Sequence, residues 1–141
     1  MCHVVDWLAL GVSIISLIIS FIAKNKSSDM QAGSIEMEIR TMITNAKNRF
    51  ADLGLQLENN PNSETLKKAV NSALEEVCNA YNEACAKYLD GKVDKRRFKK
   101  NYINEIKNIV TAESTKNKFI PPQTNYHATV SVYNKWHNLE E

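Results

Sequence analysis

The chain has 141 residues, which bounds it to one domain plus an anchoring segment. Its formal net charge of +2 is too small to indicate a partner through charge alone. Its three cysteines do not form the framework of an oxidised secreted protein, and its four glycines leave little irregular backbone on which to build a catalytic site.

Residues 7–23, WLALGVSIISLIISFIA, are the only long apolar run. A helix of this run is about 26 Å long, and starting it at Val4 brings it to the ~30 Å of a hydrocarbon core. The run therefore predicts a single transmembrane helix. A cleaved signal peptide is one alternative, but no Lys or Arg precedes the run and residues 21–23 form a poor cleavage site. A soluble core helix is the other, but the run has no charged face.

One face of this predicted helix carries small or polar residues at spacings of three and four. In lipid, small residues allow two helix backbones to approach closely, and hydroxyl groups bond across the contact. The pattern predicts self-association, or docking on another membrane protein, and a serine-rich anchor without a partner is the alternative. The face consists of Asp6, Ala9, Ser13, Ser16, Ser20 and Ala23.

The positively charged residues that flank the apolar run predict the orientation of the helix in the membrane. Lys24 and Lys26 follow the run, and all 18 Lys and Arg residues lie after it. The positive-inside rule therefore places the N-terminus outside and residues 24–141 in the cytoplasm, on the inner membrane. Cys78 and Cys85 lie about 10.5 Å apart along one predicted helix, too far for a disulfide, which agrees with a reducing compartment.

The remaining chain predicts a small three- to four-helix bundle, so the fold class is all-α. Apolar residues recur every three or four positions from Ile35 to Leu57. Ser63 caps a second helix with a broad apolar face, typical of a central helix, and Gly91 ends it. The predicted segments are 1–26 (anchor), 27–34 (juxtamembrane linker), 35–112 (bundle), 113–124 (Pro-containing loop) and 125–141 (C-terminal aromatic helix).

A basic cluster opens the third helix of the bundle. Asp94 is the predicted N-cap, and Val93 and Phe98 form a hydrophobic staple around it. Cations in a first turn oppose the helix macrodipole, at a cost of about 0.3–1 kcal/mol each, so the cluster calls for an anion. The candidates are an acidic membrane leaflet, nucleic acid, or Glu75, Glu76 and Glu83 within the bundle. The cluster is Lys92, Lys95, Arg96, Arg97, Lys99 and Lys100.

The last segment is rich in aromatic residues. A helix from residue 125 to 139 is predicted to turn Tyr126, Val130, Tyr133 and Trp136 inward, with Leu139 at its end, and so to close the core. Because the segment follows a predicted Pro-Pro loop, the alternative is a detachable element that contacts a partner through Tyr126, Tyr133 and Trp136.

Metal and catalytic motifs are absent from the sequence. The segment from Leu89 to Asp94 resembles half of an EF-hand loop, but three required ligands are missing. A zinc site from Cys78, Cys85, His127 and His137 matches no common spacing. No phosphate loop, nucleophile elbow or paired His–Glu motif occurs, which predicts a protein that is not an enzyme and needs no cofactor.

The sequence therefore predicts a non-enzymatic, membrane-anchored interaction module that self-associates through its span and binds a protein partner with its cytosolic bundle. Nucleic acid is disfavoured, because Phe98 and Tyr102 belong to the predicted core and cannot stack on bases. The architecture resembles small bacterial or phage single-span proteins, such as toxin-like membrane effectors or inner-membrane spanins. These imply two alternatives, a membrane-perturbing effector, or a lysis protein if the topology is reversed.

Overall fold

The computed structural model describes the backbone of residues 2–138 and the side chains of residues 16–138. Within these residues the chain forms four α-helices and no strand, which confirms the predicted all-α class. The elements are α1 (Cys2–Asn59), α2 (Glu64–Leu89), α3 (Lys95–Thr111), a 3₁₀ helix (Lys116–Phe119) and α4 (His127–His137).

The structure differs from the prediction at residues 27–34. They belong to α1 and are helical, whereas the sequence predicted a linker between two helices. The stretch contains no proline and a single glycine, Gly33, so a helix already nucleated on either side propagates through it. The chain divides into two compact units, Met1–Ser34 and Ile35–Glu141, the second of which we call the bundle.

The predicted transmembrane helix lies only partly within the described residues. No helical stretch among the described residues combines the length and the apolar character needed to cross a membrane. Residues 7–15 of the predicted span lie outside the described side chains, and so do three members of the small-residue face, Asp6, Ala9 and Ser13.

The bundle core forms where the predicted stripes of α1, α2 and α3 meet. Ile39 and Ile43 of α1 are buried against α2 and α3, and Ile106 of α3 is fully buried. The apolar face of α2 is broad, as predicted, because it packs on several neighbours. Its buried residues are Ala73, Val77, Cys78, Ala80, Tyr81, Ala84, Cys85 and Tyr88.

α4 packs through a face that matches the predicted one only in part. Trp136 is buried, as predicted, and so are Thr129 and Val132, whereas Val130 and Tyr133, which were predicted to face inward, are only half-buried. Thr129 lies in the core because Asn82 Oδ1 accepts hydrogen bonds from its backbone N–H (3.1 Å) and its hydroxyl (3.4 Å). A buried threonine whose polar groups are hydrogen-bonded interrupts the apolar pattern, so the buried face of a short helix is hard to recognise from the sequence. Leu139 lies outside the described residues.

The segment between α3 and α4 is an ordered connection. The 3₁₀ helix buries Phe119, whose ring lies 5.1 Å from that of Tyr126. The Thr115 hydroxyl donates to the carbonyl of Ile109, and Thr124 Oγ1 accepts from the Tyr126 N–H at 3.0 Å. These contacts hold the segment against α3 and the start of α4, whereas the sequence predicted a loop without such contacts.

Candidate functional site

The turn between α2 and α3 forms as predicted and positions the basic cluster. Gly91 has a φ of 70°, the left-handed conformation that glycine adopts most readily at a helix end. Asp94 caps α3 by accepting the Arg97 N–H at 2.7 Å, and Val93 and Phe98 are both buried. The first two turns of α3 therefore present their long cationic side chains from a well-defined backbone.

Arg97 differs from the rest of that cluster in its partner, although its side chain is 55% exposed. Its guanidinium makes a two-pronged contact with Glu36 of α1, at 2.7 Å from Nε and 2.8 Å from Nη2. Glu36 also accepts the backbone N–H of Asp94 at 3.2 Å. The sequence analysis left open whether the cluster meets an external anion or a carboxylate of the bundle, and for Arg97 the planar guanidinium fork is matched by Glu36 within the bundle.

A cation that the sequence analysis missed joins the cluster. Lys95 of α3 and Lys135 of α4 both lie over the ring of Tyr88, at 5.6 Å and 5.8 Å from its centroid. Only the fold brings Lys135 there, so no sequence pattern could have revealed it. We use the term basic surface for Lys92, Lys95, Arg96, Lys99, Lys100 and Lys135.

The basic surface is barely neutralised by the bundle. Lys92 Nζ lies 4.0 Å from Asp90, which is a weak contact. Arg96, Lys99 and Lys100 have no ion pair among the described residues.

The acidic residues of α2 that could have compensated these charges bind other partners. Glu75 accepts hydrogen bonds from Lys118 and Tyr126, and Glu76 accepts one from Arg49. Glu83 lies 3.3 Å from Lys87. Among the described residues, the ion pairs of these three carboxylates are therefore with residues outside the basic cluster.

Glu75 supplies a testable pH dependence. Hydrogen bonds from Lys118 and Tyr126 hold the pKa of its carboxyl below the ordinary 4.5. Because this pKa is depressed in the folded state, the stabilisation is complete above pH 4.5 and is lost as the pH falls through the lower folded value. We expect Glu75→Gln to flatten the loss of stability in acid, measured as urea midpoints from about pH 3 to 7. Glu113→Gln, at an exposed carboxylate, should behave like the wild type, and equal acid sensitivity of Glu75→Gln would contradict the assignment.

The aromatic tail is largely part of the core. Trp136 is buried and donates its indole N–H to the Tyr88 hydroxyl at 3.1 Å, and Tyr126 is buried beside Phe119. Tyr133 is half-buried, with its ring 4.3 Å from that of His137. Two of the three rings proposed as a partner surface, those of Tyr126 and Trp136, thus fill the core in this structure, so a contact with a partner through them would require the segment to detach.

The two cysteines of the bundle are unreactive by environment. Cys78 and Cys85 are free and fully buried. Burial raises the pKa of the Cys78 thiol to about 11 and that of Cys85 to about 12, so both stay protonated at neutral pH. Within residues 16–138 no group of His, Cys, Asp and Glu side chains converges in a way that could hold a metal ion.

An open cleft of about 500 Å³ lies between α1 and α3 of the bundle. Glu105, at its rim, accepts a hydrogen bond from the Tyr81 hydroxyl and lies 3.5 Å from Lys47. Burial raises the pKa of Tyr102 in the same cleft. None of the lining residues is a His, Cys or Ser, and the ionisable side chains of the lining are those of Arg40, Lys47, Tyr102 and Glu105.

The described part of the apolar run is a helix whose large apolar side chains are more than half exposed. Leu17, Ile18, Ile19, Phe21 and Ile22 are between 53% and 71% exposed. At 3.6 residues per turn these five side chains cover an arc of about 200°. The described members of the small-residue face, Ser16, Ser20 and Ala23, share the remaining arc and are also exposed.

No protein-family model, curated protein or solved structure matches the chain. Two features of the described residues bear on the function of the protein. One is the exposed apolar helix of residues 16–23, and the other is the basic surface of the bundle.

Proposed function

We propose that the protein is a membrane-anchored helical module that acts by binding a protein partner. The observation that carries the proposal is the exposed run of large apolar side chains from Leu17 to Ile22. Burying a Leu, Ile or Phe side chain contributes about 1.5–3 kcal/mol, so five of them amount to about 7–15 kcal/mol. That is comparable with the whole stability of a small domain, and a bilayer provides the burial.

Lipid explains the distribution of these side chains better than a partner protein in water does. A helix that packs on one neighbour carries a narrow apolar stripe and a polar opposite face. Here the large apolar residues cover more than half of the helix circumference, and the rest carries serine and alanine. In our proposal the large side chains face acyl chains, and Ser16, Ser20 and Ala23 face a second membrane helix.

The proposed orientation places the bundle in the cytoplasm. Lys24 and Lys26 directly follow the apolar run, and cations next to a span favour the cytoplasmic side. The protonated thiols of Cys78 and Cys85 and the lining of the cleft beside Glu105 support binding as the mode of action, because they offer no activated nucleophile.

The test is flotation of the full-length protein with phosphatidylcholine vesicles. We expect the protein to rise with the vesicles and to stay with them in high salt and alkaline carbonate, as an integral protein does. Recovery of intact protein from the aqueous fraction, without detergent, would contradict the proposal. Cross-linking in the same vesicles tests the small-residue face, because Ser16→Leu combined with Ser20→Leu should abolish cross-linked dimers without affecting flotation.

A further inference from the structure

We propose that the basic surface binds the phosphate headgroups of acidic phospholipids and so holds the bundle against the bilayer. This inference rests on the proposed function, since it assigns a second lipid contact to a protein already anchored by α1. It concerns only the bundle, whose cations come from three separate elements. Those elements are the α2–α3 turn, the first two turns of α3 and the last turn of α4.

Several cations of the basic surface remain without an acidic partner among the described residues of the folded bundle. Glu36 neutralises Arg97, and the acidic residues of α2 are engaged elsewhere, as described above. The exposed charges of Arg96 and Lys100 have no counterion among residues 16–138. Because α3 begins with these cations, its macrodipole opposes them, and an external anion would relieve that repulsion.

The position of the basic surface within the bundle also favours a lipid contact. Glu36 is one residue past Ile35, where the chain enters the bundle, and its pair with Arg97 fixes the start of α3 there. The last turn of α2 lies at the same end, because Lys87 contacts Glu38 at 3.2 Å. The basic surface therefore occupies the end of the bundle to which the anchoring segment is joined. Tethering through that end gives lipid headgroups a high local concentration.

The burial of the aromatic rings near the basic surface favours lipid over nucleic acid. Proteins that bind single strands use exposed aromatic rings on which bases stack. Tyr88, Phe98 and Trp136 lie beneath this surface but are buried, with ring centroids 5.2 to 6.2 Å apart. The outer layer consists of five lysines and one arginine at helix ends, which suits a diffuse layer of phosphates.

The experiment uses full-length protein in vesicles of phosphatidylcholine alone and in vesicles that also contain phosphatidylglycerol. Mass spectrometry would follow the acylation rate of each lysine. In the acidic vesicles we expect Lys95, Lys99, Lys100 and Lys135 to react several-fold more slowly, and high salt should reverse the effect. Lys67 and Lys116, at the other end of the bundle, serve as internal references and should react equally in both vesicles.

Charge reversal supplies the matched control. Arg96→Glu with Lys100→Glu should abolish the slowing at Lys95, Lys99 and Lys135, whereas Lys68→Glu with Lys107→Glu, which reverses two exposed cations elsewhere, should preserve it. Equal rates in both vesicles, for protein that still floats on neutral vesicles, would overturn this inference and leave the anchor standing. Failure to float would overturn the proposed function itself. If a short RNA at the same phosphate concentration slows acylation of these lysines more than the acidic vesicles do, the lipid-binding inference is overturned in favour of nucleic acid.

Discussion

Replacing Trp136 by alanine should lower the free energy of unfolding of the bundle by about 3–5 kcal/mol. Its indole packs edge-on against Tyr88 at 5.4 Å and lies 6.2 Å from Phe98. Truncation opens a cavity at the junction of α2, α3 and α4, and it leaves the Tyr88 hydroxyl without its indole donor. The measurement is urea unfolding of the full chain in mild detergent, followed by circular dichroism.

Ser131→Ala is the matched control for this experiment, because Ser131 lies on the exposed face of the same helix. It should change the free energy of unfolding by less than about 0.5 kcal/mol. A loss below about 1 kcal/mol for Trp136→Ala would mean that α4 contributes little to the core. In that case the hypothesis of a detachable C-terminal element would regain support.

Ile18→Asp combined with Ile22→Asp should remove the protein from membranes. Both positions lie on the broad apolar face, and both are more than half exposed. An aspartate near the centre of a span costs up to about 3 kcal/mol, and less toward its end. A combined cost of about 4 kcal/mol weakens insertion roughly a thousandfold. Flotation on neutral vesicles measures the effect.

The control for the anchor is Ser27→Asp combined with Gln31→Asp. It introduces the same two charges at the same spacing on exposed positions of α1, beyond the apolar run. This protein should float like the wild type. Undiminished flotation of the variant with Asp at positions 18 and 22 would show that these side chains do not lie in hydrocarbon.

Local rules predicted the features that depend on a few neighbouring residues. Ser63 and Asp94 cap α2 and α3 through their own side chains, and Gly91 takes the left-handed conformation expected of it. The stripes of α1 and α2 were also predictable, because a large apolar face repeats along each helix. These features need no knowledge of distant contacts.

Features that depend on distant partners were beyond the sequence pattern. Thr129 is buried because Asn82, 47 positions earlier, accepts its hydrogen bonds. Arg97 differs from its cationic neighbours only because Glu36 lies opposite it. The helical state of residues 27–34 carries no periodic signal, since their side chains are almost all exposed. Five of the six members of the basic surface could therefore be located from the sequence, whereas the pairing of Arg97 and the addition of Lys135 could not.

The two buried thiols make the opening of the bundle measurable without denaturant. Cys78 and Cys85 have no exposed surface and a raised pKa, so an alkylating reagent reaches them only when the bundle opens. If closing is faster than alkylation, the observed rate is the intrinsic rate multiplied by the open fraction. With Cys2 replaced by serine, alkylation in intact vesicles would then report the opening equilibrium of the lipid-bound molecule, where urea or heat would disrupt the bilayer as well.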